Sequence, residues 1–364
     1  MRATQAAFFI RLNRRRRLLL AALFVLVAAV GLRTVTAAQA AKALRTGSPH
    51  PQRRTRALTW KAVTRFKRPR FRPTRRIGVH TAGQFWRAWD RIRPGDEIDV
   101  HGAVTFSGKA IFRKQLPAWA EVHFSPGTRF TGTPGENLAA AWVDRCRHIR
   151  FYGGNLTNPT GGSGIVIYDS DWVTWWNFVV HDTGNTGLAV QGIEQPDTHL
   201  DLKGEIYHWG LNLDLDPHSE KGTGLHGANL ADSPDGVSNS RFVLNVHDGA
   251  TGAGVEMGGR SDFFDHNTLY LSCRNLTKVA TKLTAGNCAQ LWGVNVTHDD
   301  FRYIEAQNLT GRPFQTGGMY AGQSLQTDRV DYGRAINTNL NPLIGSIRWD
   351  RRFDAVFKNV SPSP

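Results

Sequence analysis

Residues 161–170 read GGSGIVIYDS: a small-residue turn, a short alternating apolar run, then a polar end. The same shape returns as GNTGLAVQGI (184–193), KGTGLHGANL (221–230), TGAGVEMGGR (251–260), AGNCAQLWGV (285–294) and QTGGMYAGQS (315–324). Aligned on Gly164, Gly187, Gly224, Gly254, Cys288 and Gly318, the segments recur on a base unit near 23 residues with insertions. Self-similarity at such a period marks a repeat architecture. Each unit holds a second stretch rich in β-branched and aromatic residues, such as DWVTWWNFVVHD (171–182) or SRFVLNVHD (240–248). These read as short strands. No stretch after residue 93 sustains a helical period.

A chain built this way stacks its coils and buries one apolar face of each against the next. Over roughly Ile77 to Asn341 the pattern resembles the right-handed parallel β-helix, or pectin-lyase-like, superfamily. The expected fold is therefore all-β, a right-handed parallel β-helix solenoid with an N-terminal capping helix. TAGQFWRAWDRI (81–92) supplies that helix, with Thr81 and Gln84 at capping-box spacing and Phe85, Trp89 and Ile92 on one face.

Charge divides the chain. Residues 1–76 hold 20 Lys and Arg and no Asp or Glu, and the other 288 residues hold 25 basic against 30 acidic side chains. The formal charge of +15 thus belongs to the tail, and nucleic acid is not expected as a partner of the folded body. Arg14–Arg17 precede the apolar run Leu18–Leu32, which reads as an export signal or N-terminal membrane anchor over residues 1–40. Residues 41–76 read as a basic, Pro/Arg-rich disordered linker suited to anionic envelope polymers or lipid headgroups. The β-helix is expected over 77–364, extracytoplasmic and monomeric. In an exported chain a Cys273–Cys288 disulfide is plausible, with Cys146 left over and buried.

Strand residues alternate between the two faces. In the alignment above, the outward second position reads Val166, Ala189, His226, Glu256, Gln290 and Tyr320. His226 and Glu256 then lie side by side about 4.8 Å apart, and a carboxylate there favours the imidazolium. Long insertions flank these coils and make the row a groove floor. The residue types suggest Glu256 and His226 as catalytic, with Glu220, Asp216 and Asp232 competing for a second carboxyl role. Gln290, Tyr320, Trp292, Arg260, Gln191 and Tyr168 are the candidate substrate contacts. His181, His208 and His247 fall at equivalent strand ends, a column that reads as a surface ladder before a metal site.

The resemblance implies a polysaccharide substrate. The absence of Lys and Arg from the expected floor favours a glycoside hydrolase, which needs two carboxyl groups. The alternatives are a polysaccharide lyase or epimerase of the pectate-lyase type, or a non-catalytic glycan-binding surface protein. No cofactor is expected, save calcium for a lyase.

Overall fold

The computed structural model describes residues 59–133, 139–211, 226–230, 235–249, 253–257, 263–277, 286–291, 295–311, 314–316, 329–338 and 348–356. Every strand pairing among them is parallel, and each strand pairs with its equivalent on the coils before and after. This is a parallel β-helix. One narrow sheet has eight strands: Ala110–Phe112, Ala141–Asp144, Ile165–Tyr168, Leu188–Gln191, Ala228–Leu230, Ala253–Met257, Asn287–Leu291 and Phe314–Thr316. A broad sheet of eighteen strands forms the rest of the wall. Its strand Asp171–Thr183 pairs with Arg147–Tyr152 at its start and Asn155–Asn158 at its end, with a register shift between Trp176 and Phe178. The broad sheet turns a corner there.

Inward positions of the narrow sheet, Ile165, Ile167, Leu188, Val190, Ala228, Leu230, Val255 and Met257, are fully buried. They meet the inward face of the broad sheet in one core, whose N-terminal half is aromatic. Phe106 stacks on Phe130 at 4.7 Å, and Phe151 meets Trp175 at 5.1 Å. Helix α1 spans Trp60–Val63 and helix α2 spans Ala82–Asp90. In α2, Thr81 Oγ1 accepts the Gln84 amide at 3.2 Å, and the Gln84 side chain accepts the His80 amide at 2.7 Å. Phe85 and Trp89 of α2 close the open end of the core.

Glycine marks the entry to each narrow-sheet strand for a steric reason. A Cβ on Gly164 would come within 2.7 Å of the Gly187 carbonyl oxygen. At Gly187 the same clash is with the Gly227 oxygen, at 2.6 Å, and at Gly227 with the Gly254 oxygen, at 2.6 Å. The anchor of the third coil is therefore Gly227, not Gly224, and Ala228 pairs with Leu188 and Val255. The last described strand of the narrow sheet likewise places Gln315, not Tyr320, beside Gln290.

At the corner leading into the broad sheet, each coil caps the one before it. The Cys146 amide donates to Ser170 Oγ at 3.1 Å, and the Ser170 amide to Asp197 Oδ1 at 2.6 Å. Further along, Leu200 donates to Ser240 Oγ at 3.0 Å, Ser240 to Asn267 Oδ1 at 3.0 Å, and Asn267 to Asp299 Oδ1 at 2.7 Å. These buried side chains satisfy turn amides that no strand can reach. Cys273 and Cys288 are bonded, with Cα atoms 5.4 Å apart, and Cys146 is free and buried. Burial pushes the Cys146 thiol up to about 12, which leaves it unreactive.

Residues 59–74, inside the expected linker span 41–76, are held rather than free. They cross the outer face of the broad sheet as a strap. Trp60 meets Tyr303 at 6.0 Å, Phe66 meets Tyr270 edge-on at 5.2 Å, and the Arg241 guanidinium lies 4.5 Å from the Phe66 ring. Lys203 Nζ donates to the Thr64 carbonyl at 2.9 Å. Arg68 lies over Tyr152 at 3.9 Å and pairs with Glu121. The chain then enters the sheet as Arg75–Val79. Residues 1–58, with the export segment, lie outside the described residues. Among the described residues no helix is long and apolar enough to cross a membrane.

Candidate functional site

The strap covers part of the broad sheet, whereas the outward row of the narrow sheet carries a carboxylate that is not fully buried. Register defines that row as Ile111, Trp142, Val166, Ala189, Asn229, Glu256, Gln290 and Gln315. It changes character along its length, from aromatic and aliphatic at Trp142, Val166 and Ala189 to polar at Asn229, Glu256 and Gln290. Glu256 keeps 17% of its side chain exposed, and Asn229 and Gln290 on either side are buried.

The expected neighbour of Glu256 was His226. The register partner is Asn229, and His226 precedes that strand by two residues. His226 nevertheless meets Glu256 from a different position: its Nε2 lies 3.3 Å from Glu256 Oε2. The expected imidazolium is corrected. His226 is buried, and burial lowers its pKa to about 4. The Ala253 amide donates to His226 Nδ1 at 3.3 Å, so the ring proton sits on Nε2 and faces the carboxylate. Gln290 Nε2 donates to the same Glu256 oxygen at 3.5 Å, and Asn287 Nδ2 donates to Gln290 Oε1 at 3.0 Å. His226 thus positions Glu256 as a neutral donor and does not act as a charged partner.

Of the remaining expected residues, Tyr168 and Gln191 pair in register on a parallel outward row nearer the N-terminal end. Glu220, Asp216, Asp232, Arg260, Trp292 and Tyr320 lie outside the described residues, as do most of the inserted walls. The His181, His208 and His247 column is corrected: Tyr207 stands between His181 and His247, stacked on each at 5.1 Å. His208 turns away to Asp182 at 3.3 Å. The sequence reading also missed Trp142. The stretch AAWVD (140–144) has the same small–apolar–Asp shape as the repeats and is the coil before GGSGIVIYDS.

Calcium takes six to eight oxygen ligands. The floor offers one carboxylate between two amides, and Gln290 Oε1 already accepts from Asn287. Two described clusters combine acids with imidazoles, Glu97–Asp99–His123 and Asp265–His266–His298, and both belong to the broad sheet. Their nitrogen content suits a transition ion better than calcium. The first also adjoins Glu121, whose carboxyl burial would raise but which hydrogen bonds from His123, Arg68 and Arg150 lower instead. Around Glu256 the described residues do not fit calcium, and no step is derived through it.

No protein-family model matches the chain, and no curated protein matches it. Among solved structures it is similar to an alginate lyase from Paenibacillus sp. str. FPU-7, at 13% identity and a TM-score of 0.38, covering 76% of this chain and 100% of that one. It is also similar to the pectate lyase Pel9A, at 13% identity and a TM-score of 0.40, covering 77% and 81%. The PL6 family alginate lyase AlyGC aligns at 10% identity and a TM-score of 0.27, covering 78% and 53%. Likenesses this distant say nothing of what this chain acts on. The parallel register of its own strands makes it a parallel β-helix.

Proposed function

We propose that the chain is a polysaccharide lyase acting in a groove on the narrow sheet, with Glu256 as the base. The observation that supports this is the Glu256 oxygen facing two donors, His226 Nε2–H at 3.3 Å and the Gln290 amide at 3.5 Å. Donors on one carboxylate oxygen favour the ionised form, which is the state a base must start from. A glycosidase acid must instead hold a proton to give to the leaving oxygen, and a second carboxyl must stand about 5 to 9.5 Å away. The three candidates for that second carboxyl lie outside the described residues. The ionised state favoured at Glu256 supports elimination over hydrolysis, the sequence's first expectation.

Elimination makes a specific demand on the substrate. The proton removed must be acidic, as is one on the carbon bearing a sugar carboxylate, so the substrate class is a polyuronate. Glu256 takes that proton and the C–H electrons form a C=C bond. The neighbouring C–O bond breaks, and the departing oxygen takes a proton from solvent. Asn229 and Gln290, one rung to each side of Glu256, offer amide hydrogens to the charge that develops on the uronate carboxylate.

Incubation with a polyuronate should raise the ultraviolet absorbance of an unsaturated product. Reducing ends appearing without that absorbance would overturn elimination in favour of hydrolysis. We also propose that the chain is exported, supported by the Cys273–Cys288 bond and the apolar run at 18–32. Recovery of the protein with its cysteines reduced, in the cytoplasmic fraction, would contradict this.

A further inference from the structure

Four rungs from Glu256 the same row has a different chemistry. From Trp142 the register runs through Val166, Ala189 and Asn229 to Glu256. At about 4.8 Å per rung, Trp142 stands about 19 Å from Glu256 along the same face. Tyr168 lies beside it, with ring centroids 5.0 Å apart and planes tilted by 35°. Ile111 and Ile193 flank the pair at 43% and 50% exposure, which is high for isoleucine. These four and six charged residues around them line a cavity of about 280 Å³. Single exposed apolar residues need no explanation, but a contiguous aromatic and aliphatic hollow with a charged rim marks a binding surface.

The rim charges are unequal. Arg113 is held by Asp144, and Arg145 by Glu194 at 2.6 Å and Asp169 at 3.6 Å. Lys109 places its ammonium 3.9 Å from the Trp142 ring centroid, and no carboxylate among the described residues forms an ion pair with it. The hollow thus offers apolar side chains and one cation that has no counter-charge among the described residues. One wall is fixed in advance: Asp169 Oδ1 accepts the amides of Ile193, Glu194 and Gln195 at 2.7, 2.9 and 3.3 Å. Little ordering is then left to oppose binding.

We infer that this hollow is a distal subsite for one carboxylate-bearing sugar of a polymeric substrate. The apolar face of the sugar ring lies against Ile111, Ile193 and the edges of the Trp142 and Tyr168 rings, and its carboxylate meets Lys109. The inference rests on the polyuronate reading of the groove. It adds that the ligand must be several sugars long, because the bound unit sits about 19 Å from Glu256.

Retardation in native gels containing alginate, polygalacturonate or neutral dextran tests it without needing turnover. The parent protein should be retarded by a polyuronate and not by dextran. Trp142→Ala should weaken that binding about tenfold, the scale of the apolar contact it removes and of the Lys109 ammonium it sets loose. Lys109→Ala should weaken it and flatten its salt dependence. Trp172→Ala, at the edge of the broad sheet and stacked on His199, serves as the control and should bind as the parent does. Unchanged retardation of both Trp142→Ala and Lys109→Ala overturns the subsite, as does a parent protein retarded by neither polyuronate. Equal retardation by dextran overturns the assignment of Lys109 to a carboxylate. If Glu256→Gln keeps full turnover, the elimination reading fails on its own, and the gel comparison still decides the subsite.

Discussion

His226 Nε2 stands 3.3 Å from Glu256 Oε2, although the register partner of Glu256 is Asn229. The imidazole meets the carboxylate out of water, with its other nitrogen occupied by the Ala253 amide. A buried neutral imidazole has one proton to offer and one direction in which to offer it.

That arrangement makes stability depend on acid. The folded pKa of His226, about 4, lies below the usual value near 6.5. Its contribution is fully present above pH 6.5 and is lost as the pH falls from there to 4. The loss should reach about 3 kcal/mol. Urea unfolding measured between pH 7 and pH 4 should show this decline, and His226→Gln should flatten it. An equal slope in both proteins would mean that His226 is not the group being charged.

Asp197 titrates in the opposite sense. It is fully buried, its Oδ2 has no hydrogen-bond partner among the described residues, and burial raises its pKa well above the ordinary value. Folding then favours the protonated form, so stability is greatest below the unfolded pKa and falls as the pH rises toward the folded one. Asp197→Asn keeps the Oδ1 that accepts the Ser170 amide and removes the titration. It should be more stable than the parent at pH 7, with the difference vanishing near pH 4.

The strap should be part of the folded unit. The Glu121 side chain has no exposure to solvent, and Arg68, itself 44% exposed, pairs with it. Arg150 Nη1 also donates to Glu121, at 3.1 Å, so Arg68→Ala leaves the charge only partly compensated. A loss of about 1 to 2 kcal/mol is expected, after discounting for the exposure of Arg68. The same variant should open residues 59–74 to protease. An unchanged urea midpoint and unchanged cleavage would show that the strap is merely laid on the sheet.

Cys273 and Cys288 close a loop of 15 residues. Breaking the bond with Cys273→Ser and Cys288→Ser should cost up to about 3 kcal/mol, chiefly by freeing the unfolded chain. Thermal melts of the oxidised parent, the reduced parent and the double variant check this. The reduced parent should match the variant.

The architecture was legible because its signal is periodic. Gly164, Gly187 and Gly254 each face a carbonyl oxygen of the next coil, and such a clash selects glycine coil after coil. The capping helix was legible from Thr81 and Gln84 for an equally local reason. Register failed where a coil contains a choice. KGTGLHGANL offers Gly222, Gly224 and Gly227, and only the packing of Gly227 against Val246 and the Gly254 oxygen decides among them. That slip put His226 in the row where Asn229 belongs. The pairing of His226 with Glu256 held because the imidazole reaches the carboxylate from the turn before its strand, where no alternation rule applies. Trp142 escaped notice because its coil begins with alanines instead of glycines. The strap was read as linker from its composition; Phe66 and Arg68 find ring and carboxylate partners 204 and 53 positions along the chain, beyond any local rule.

Turnover by Glu256→Gln tests the account most directly. The substitution keeps the shape of the side chain and removes its ability to take a proton. On a polyuronate, the variant should form unsaturated product roughly 10²- to 10⁴-fold more slowly than the parent, while unfolding at the same urea concentration. A variant that folds normally and eliminates at the parental rate would contradict the assignment of Glu256 as the base.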